Sequence, residues 1–131
     1  MKLEVYSGYL KLVGEEHSLT FAAALNYAIS LIDLRRFEEA KALLRKMMPV
    51  ARRVLGECHE LTLRMRANYA AALISASGAT LDDFREAVAT LEDAARIARR
   101  VMGGAHPTTK IIEGILKSVR ETLRARESPS T

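Results

Sequence analysis

Val54-Leu55-Gly56-Glu57-Cys58-His59-Glu60-Leu61-Thr62 reads as the end of one helix, a short turn and the start of the next. The stretch recurs as Leu12-Val13-Gly14-Glu15-Glu16-His17-Ser18-Leu19-Thr20 and as Val101-Met102-Gly103-Gly104-Ala105-His106-Pro107-Thr108-Thr109. In each copy a glycine follows an apolar, basic helix end, where it can take a left-handed conformation at little cost. Pro107 suits the first position of a helix because it has no N–H to lose there. A connector that recurs in this way predicts a stack of helical hairpins.

The bulk properties are consistent with one all-α domain. The chain has 131 residues, enough for a single core, and an ordinary apolar fraction of 49%. No window approaches the ~20 apolar residues of a membrane span, and no leader-like segment opens the chain. Cys58 is the only cysteine, which excludes an internal disulfide and suits a cytoplasmic setting. The charge of +4 arises from 20 basic and 16 acidic residues, the mixture of a solvated helical surface.

The apolar spacing places the helices. Residues 2 to 13 predict a short helix with Leu3, Tyr6, Leu10 and Val13 on one stripe. A leading helix follows from about Ser18 to Leu34, with Ala24, Tyr27, Ala28 and Leu31 on one side. After a tight turn at Arg35-Arg36, a returning helix runs from about Phe37 to Leu55 along Phe37, Ala40, Leu44, Met47, Ala51 and Val54. Pro49 is expected to interrupt and kink it, because proline removes a ladder bond and crowds the Arg45 carbonyl. The second hairpin has a leading helix from Glu60 to about Ser77, a loop by composition over Ser75 to Thr80, and a returning helix from Leu81 to Met102. Asp82, Asp83 and Glu86 bring negative charge to the positive end of that helix dipole. A last helix runs from Pro107 to about Ala125, and the residues from Glu127 onward should fray.

The repeats align directly. Asn26-Tyr27-Ala28 and Asn68-Tyr69-Ala70 lie 42 residues apart, as do His17 and His59. Ala51-Arg52-Arg53-Val54-Leu55-Gly56 and Ala98-Arg99-Arg100-Val101-Met102-Gly103 lie 47 apart, the excess falling in the loop near Gly78, where a helical repeat tolerates insertion. Together with Phe37-Glu38-Glu39-Ala40, these motifs resemble the 42-residue tetratricopeptide repeats found in kinesin light chains. The resemblance covers nearly the whole chain. It implies a right-handed superhelix of antiparallel hairpins, about two full repeats plus flanking helices. It also implies that Ala28 and Ala70 touch Ala40 and Ala87, followed by Leu44 and Leu91.

On this reading, residues 1–13 are a partial N-terminal helix, 14–55 the first repeat, 56–102 the second, 103–126 a C-terminal capping helix and 127–131 a disordered tail. The cap follows from the third leading helix, which has Ile115 and Lys117 where the others have asparagine and alanine. A lysine there would sit badly against a returning helix, so the outer face should be wet.

His17, His59 and His106 recur once per helix pair. Packed helix axes lie ~8–10 Å apart, so the three cannot converge on one metal ion. They are expected to cap or pack at helix starts. Cys58 and His59 are adjacent and cannot readily present their tips to one another, so no nucleophile is assigned. The pairs Arg52-Arg53 and Arg99-Arg100 suit helix C-termini. With aromatics at 5% of the chain, they lack the stacking platforms of a nucleic-acid site. No catalytic residue, metal or cofactor is implied.

The resemblance places Asn26 and Asn68 on the flank of the leading helices that faces a concave groove. An amide there can bond the backbone of an extended peptide. Arg64 shares the stripe of Asn68, and Asp33, Lys110 and Glu113 are further neighbours of the groove. The expected function is therefore non-enzymatic: an adaptor or scaffold that holds a protein or peptide partner in the groove. The alternative is homo-oligomerisation through apolar end faces, and a membrane or nucleic-acid partner is disfavoured.

Overall fold

The computed structural model describes residues 17–128 and builds them as five helices. These are α1 (His17–Asp33), α2 (Phe37–Val54), α3 (Glu60–Ser75), α4 (Leu81–Met102) and α5 (Pro107–Glu127). Among the described residues there is no strand. The predicted helix over residues 2 to 13 lies outside them. Each helix packs on the next, and α3 also packs on α1 and α5, so the leading helices α1, α3 and α5 form one layer. The chain is thus an all-α helical repeat, as the connector predicts.

The central helix is α3, buried around most of its circumference by Leu63, Met65, Ala67, Tyr69, Ala70 and Leu73. A helix apolar on several sides needs neighbours on several sides, and α3 has them. The returning helices are one-sided, with α2 burying Ala40, Leu44, Met47 and Ala51 and α4 burying Phe84, Ala87, Leu91, Ala94 and Ala98. The contact alanines Ala28, Ala40, Ala70 and Ala87 are fully buried, as are Leu44 and Leu91. Small residues at these sites let backbones approach, and a larger side chain would push the helices apart. The stripes are buried only in the helix interiors. Val54 and Val101, in the last turns, are exposed.

The connectors fold as the glycines and histidines require. Gly56 and Gly103 have φ of 99° and 89°, the left-handed region that favours glycine. Gly56 N–H donates to the Ala51 and Arg52 carbonyls and Gly103 N–H to that of Arg99, closing off α2 and α4. His59 and His106 are N-caps, each Nδ1 accepting from the backbone N–H two residues on, at 3.0 Å from Leu61 and 3.1 Å from Thr108. The histidines therefore act as caps at two of the three connectors. The side chain of His17 lies outside the described residues.

Three expectations are corrected. Pro49 does not interrupt α2, which continues through it to Val54. The proline is exposed, and packing of the opposite stripe holds the helix together around the lost bond. The helix α3 ends at Ser75, not near Ser77, because Ala76 is already extended. The C-terminal helix passes Ala125 and includes Glu127, whose carboxylate accepts from Arg85 Nε and Nη2 at 3.1 Å. Arg126, one residue earlier, lies over the Phe84 ring at 4.5 Å, a cation–π contact. These contacts with α4 hold the last turn in place; residues 129–131 lie outside the described range.

The start of α4 holds a signal that the dipole reading passed over. Thr80 Oγ1 accepts from Asp83 N–H at 3.1 Å, and Asp83 Oδ2 accepts from Thr80 N–H at 2.9 Å, a reciprocal capping box. The pattern Thr-x-x-Asp carried it, with aspartate in the place usually held by glutamate or glutamine.

Candidate functional site

The layer of leading helices encloses a cavity of about 210 Å³. The helix α1 contributes Ile29, α3 contributes Arg64, Ala67 and Asn68, and α5 contributes Thr108, Ile111, Ile112 and Ile115. Its walls are mostly aliphatic, with an amide, a hydroxyl and a guanidinium. A pocket of that make-up fits one apolar side chain while its polar groups fix the flanking chain. Ile111 is 61% exposed, so the apolar surface opens to solvent.

Two of the predicted groove residues meet at this pocket. Asn68 is half-buried, and its Nδ2 donates to the Arg64 carbonyl at 2.9 Å. That bond uses one of the two amide N–H donors and ties Asn68 to its own helix one turn back. Arg64 is half-buried at the same wall. Asn26 is exposed on α1 and does not line the cavity; Ile29, one turn on, does so instead. Asp33, the last residue of α1, is exposed and also outside the lining. Lys110 is exposed beside Ile111. Glu113 turns to α4, where Arg99 Nε and Nη2 donate to it at 2.8 and 2.9 Å. Arg99 holds the Glu113 carboxyl below the usual carboxylate range through these hydrogen bonds, opposed by partial burial.

The aliphatic part of the pocket went unread in the sequence, although one signal was present. Ile115 occupies the register of Asn26 and Asn68, and its departure from that pattern marks an apolar wall. Thr108 is positioned by the connector: its N–H completes the His106 cap and its Oγ1 donates to Glu60 Oε2 at 2.5 Å. The start of α5 is thereby tied to the start of α3.

On the other side of α3 lies a polar cluster that the sequence did not signal. Arg66, 5% exposed, donates from Nη2 to Asp93 Oδ2 at 2.7 Å, and Arg96 donates to the other oxygen of Asp93. Asp93 is held below the ordinary carboxylate range, first by the Arg66 hydrogen bond and then by the charges of Arg66, Arg96 and Arg52, against burial. One turn along, Tyr69 Oη accepts from Arg45 Nη2 and donates to Glu86 Oε2, both at 3.0 Å. The tyrosine thus bridges α2 and α4.

Among the described residues no group of histidine, cysteine or acidic side chains is arranged to hold a metal, and no helix is long and apolar enough to cross a membrane. Cys58 is exposed in its connector.

Comparison with known families agrees with the hairpin geometry. The tetratricopeptide repeat model matches residues 20–60 and 79–108, more than half of the chain. It describes the 42-residue form of the repeat, with which a kinesin light chain-like type is compatible. No curated protein and no solved structure gives a match. The matched segments span the first hairpin with its connector and the second returning helix with its connector, the same elements whose caps and contact alanines build the stack. The chain belongs to the tetratricopeptide repeat family.

Proposed function

We propose that the chain is an adaptor that holds a peptide or helix against the face formed by α1, α3 and α5, with no chemistry of its own. Tetratricopeptide repeats are in general protein-interaction modules. The observation that carries the finer reading is the aliphatic cavity of about 210 Å³ with Arg64 and Asn68 at its wall. An apolar anchor side chain fills it, and Arg64 favours an acidic neighbour of that anchor. Arg64 makes no ion pair among the described residues, so its charge is available. Asn26, Asp33 and Lys110 then form an outer rim, reached by the flanking residues of a bound segment.

Self-association through an apolar C-terminal end has less support. The side of α5 away from the stack carries Lys117, Ser118 and Glu121, all exposed.

The test is selection of peptides from a random displayed library on the intact chain, followed by affinity measurement with Ile111→Asp and Arg64→Ala. Both sites are partly exposed, so melting should change little. Affinity should fall about tenfold or more for Ile111→Asp, in line with the ~1.4 kcal/mol per decade of binding. Selected peptides that bind both variants as well as the parent would refute the groove reading.

A further inference from the structure

The far side of α3 carries a second cleft, unrelated to the aliphatic pocket. It runs between α2 and α4, has a volume of about 310 Å³, and is walled by Arg45, Pro49 and Arg52 of α2 and by Glu86 and Thr90 of α4, with Tyr69 of α3 at its base. The Arg66–Asp93 cluster is the next turn of the same three helices. Arg66 precedes Tyr69 by three residues, Asp93 follows Thr90 by three, and Arg52 belongs to both levels.

The charges in this next turn are unbalanced. Three guanidinium groups, those of Arg52, Arg66 and Arg96, act on the single carboxylate of Asp93. Both oxygens of Asp93 are already taken, one by Arg66 and one by Arg96. Among the described residues Arg52 is paired with Glu57 alone, at 3.9 Å from its Nε, beyond hydrogen-bonding distance. Three nitrogens are left buried with no acceptor: Arg52 Nε, Arg66 Nε and Arg66 Nη1. A buried cation with unpaired donors is costly, and an anion in the adjoining cleft, which Arg52 lines and Arg66 does not, would offset the excess charge without itself accepting from Arg66. At the cleft level, Arg45 and Glu86 are matched across Tyr69 and leave the excess positive charge undiminished.

We propose that this cleft binds a phosphate-class oxyanion. Arg52 is the direct ligand, because it lines the open space and its side chain is 39% exposed and able to turn. The Thr90 hydroxyl supplies a neutral donor on the opposite wall. Arg66 lies underneath, and its buried charge acts through a medium that screens it poorly. A guanidinium is the group best matched to such an anion. The anion is either a free phosphate compound or the phosphorylated side chain of a partner, and both present the same chemistry to Arg52.

The test is calorimetric titration of the intact chain with inorganic phosphate, with ionic strength held constant by chloride. Saturable one-to-one binding and a raised melting temperature are expected. Arg52→Gln should weaken binding at least fivefold. Arg53→Gln, at the exposed neighbouring site on the same helix end, should leave it unchanged. Should Arg52→Gln fold poorly, Thr90→Val takes its place, with an expected loss of about threefold. Absence of saturable binding would overturn the proposal, as would equal loss in the Arg52 and Arg53 variants or full binding in Thr90→Val. A short phosphoserine peptide that competes with phosphate and binds more tightly identifies a modified partner as the source. One that competes but binds no more tightly identifies a free phosphate compound.

Discussion

Arg66 of α3 and Asp93 of α4 form an ion pair at 2.7 Å in which the arginine side chain is 6% exposed and the aspartate side chain 36%. The pair joins the central helix to the second returning helix. Its two ends are unequal: removing the acid strands a buried cation, whereas removing the cation leaves an acid that can reach water.

Asp93→Ala should therefore destabilise the protein more than Arg66→Met. Breaking a fully buried pair costs ~3–5 kcal/mol, and the partial exposure of Asp93 lowers the expectation to roughly 2 kcal/mol. Methionine fills the volume of Arg66 with apolar atoms and should cost under about 1 kcal/mol. Urea denaturation of both variants measures the difference, and the reverse order would contradict the inequality.

The same pair sets an acid sensitivity. The carboxyl of Asp93 is depressed in the folded state, chiefly by the Arg66 hydrogen bond. A depressed folded value means that the contribution is complete above the ordinary value of 3.8 and is lost as pH falls below it, through the lower folded value. The melting-temperature gap between wild type and Asp93→Asn should thus be constant from pH 7 to about 5 and narrow below pH 4. A gap unchanged down to pH 2.5 would show that Asp93 owes little to its charge.

The histidine caps should be separable and additive. His59→Ala and His106→Ala each remove one acceptor for a helix N-terminal N–H and should cost ~1 kcal/mol. The two caps serve different helices, so the double variant should lose the sum to within ~0.5 kcal/mol. Asparagine, a good N-cap, should restore most of the loss at either site. Chemical denaturation of the four single variants and the double alanine variant tests this.

Pro49→Ala should stabilise the protein. An alanine N–H could donate to the Arg45 carbonyl, and the exposed site needs no repacking. Proline in a helix interior costs ~3 kcal/mol relative to alanine, and the stiffer unfolded chain returns ~0.4–1 kcal/mol of that. A gain of about 2 kcal/mol is expected by thermal melting. No gain would mean that α2 has already adapted to the missing bond at no cost.

The parts of this fold that are local in the chain were legible in the sequence. A connector of glycine and histidine fixes its own geometry through φ at Gly56 and Gly103 and through caps two residues away. Apolar residues three and four apart fix which side of α2 and α4 is buried, since helix periodicity alone relates them. The recurrence of Asn26 and Asn68 marked one flank of the leading helices. Tertiary packing decided what stands on that flank. The offset between neighbouring helices brings Ile29, not Asn26, to the rung of Asn68, and places Ile111 and Ile115 opposite. The cluster of Arg52, Arg66 and Asp93 was invisible for the same reason. Its members are 14 and 27 residues apart, and along the chain each reads as an ordinary surface charge. Only the docking of α3 between α2 and α4 removes Arg66 from water, and the burial of a long cationic side chain depends on which helix lies above it, a property that no local pattern carries.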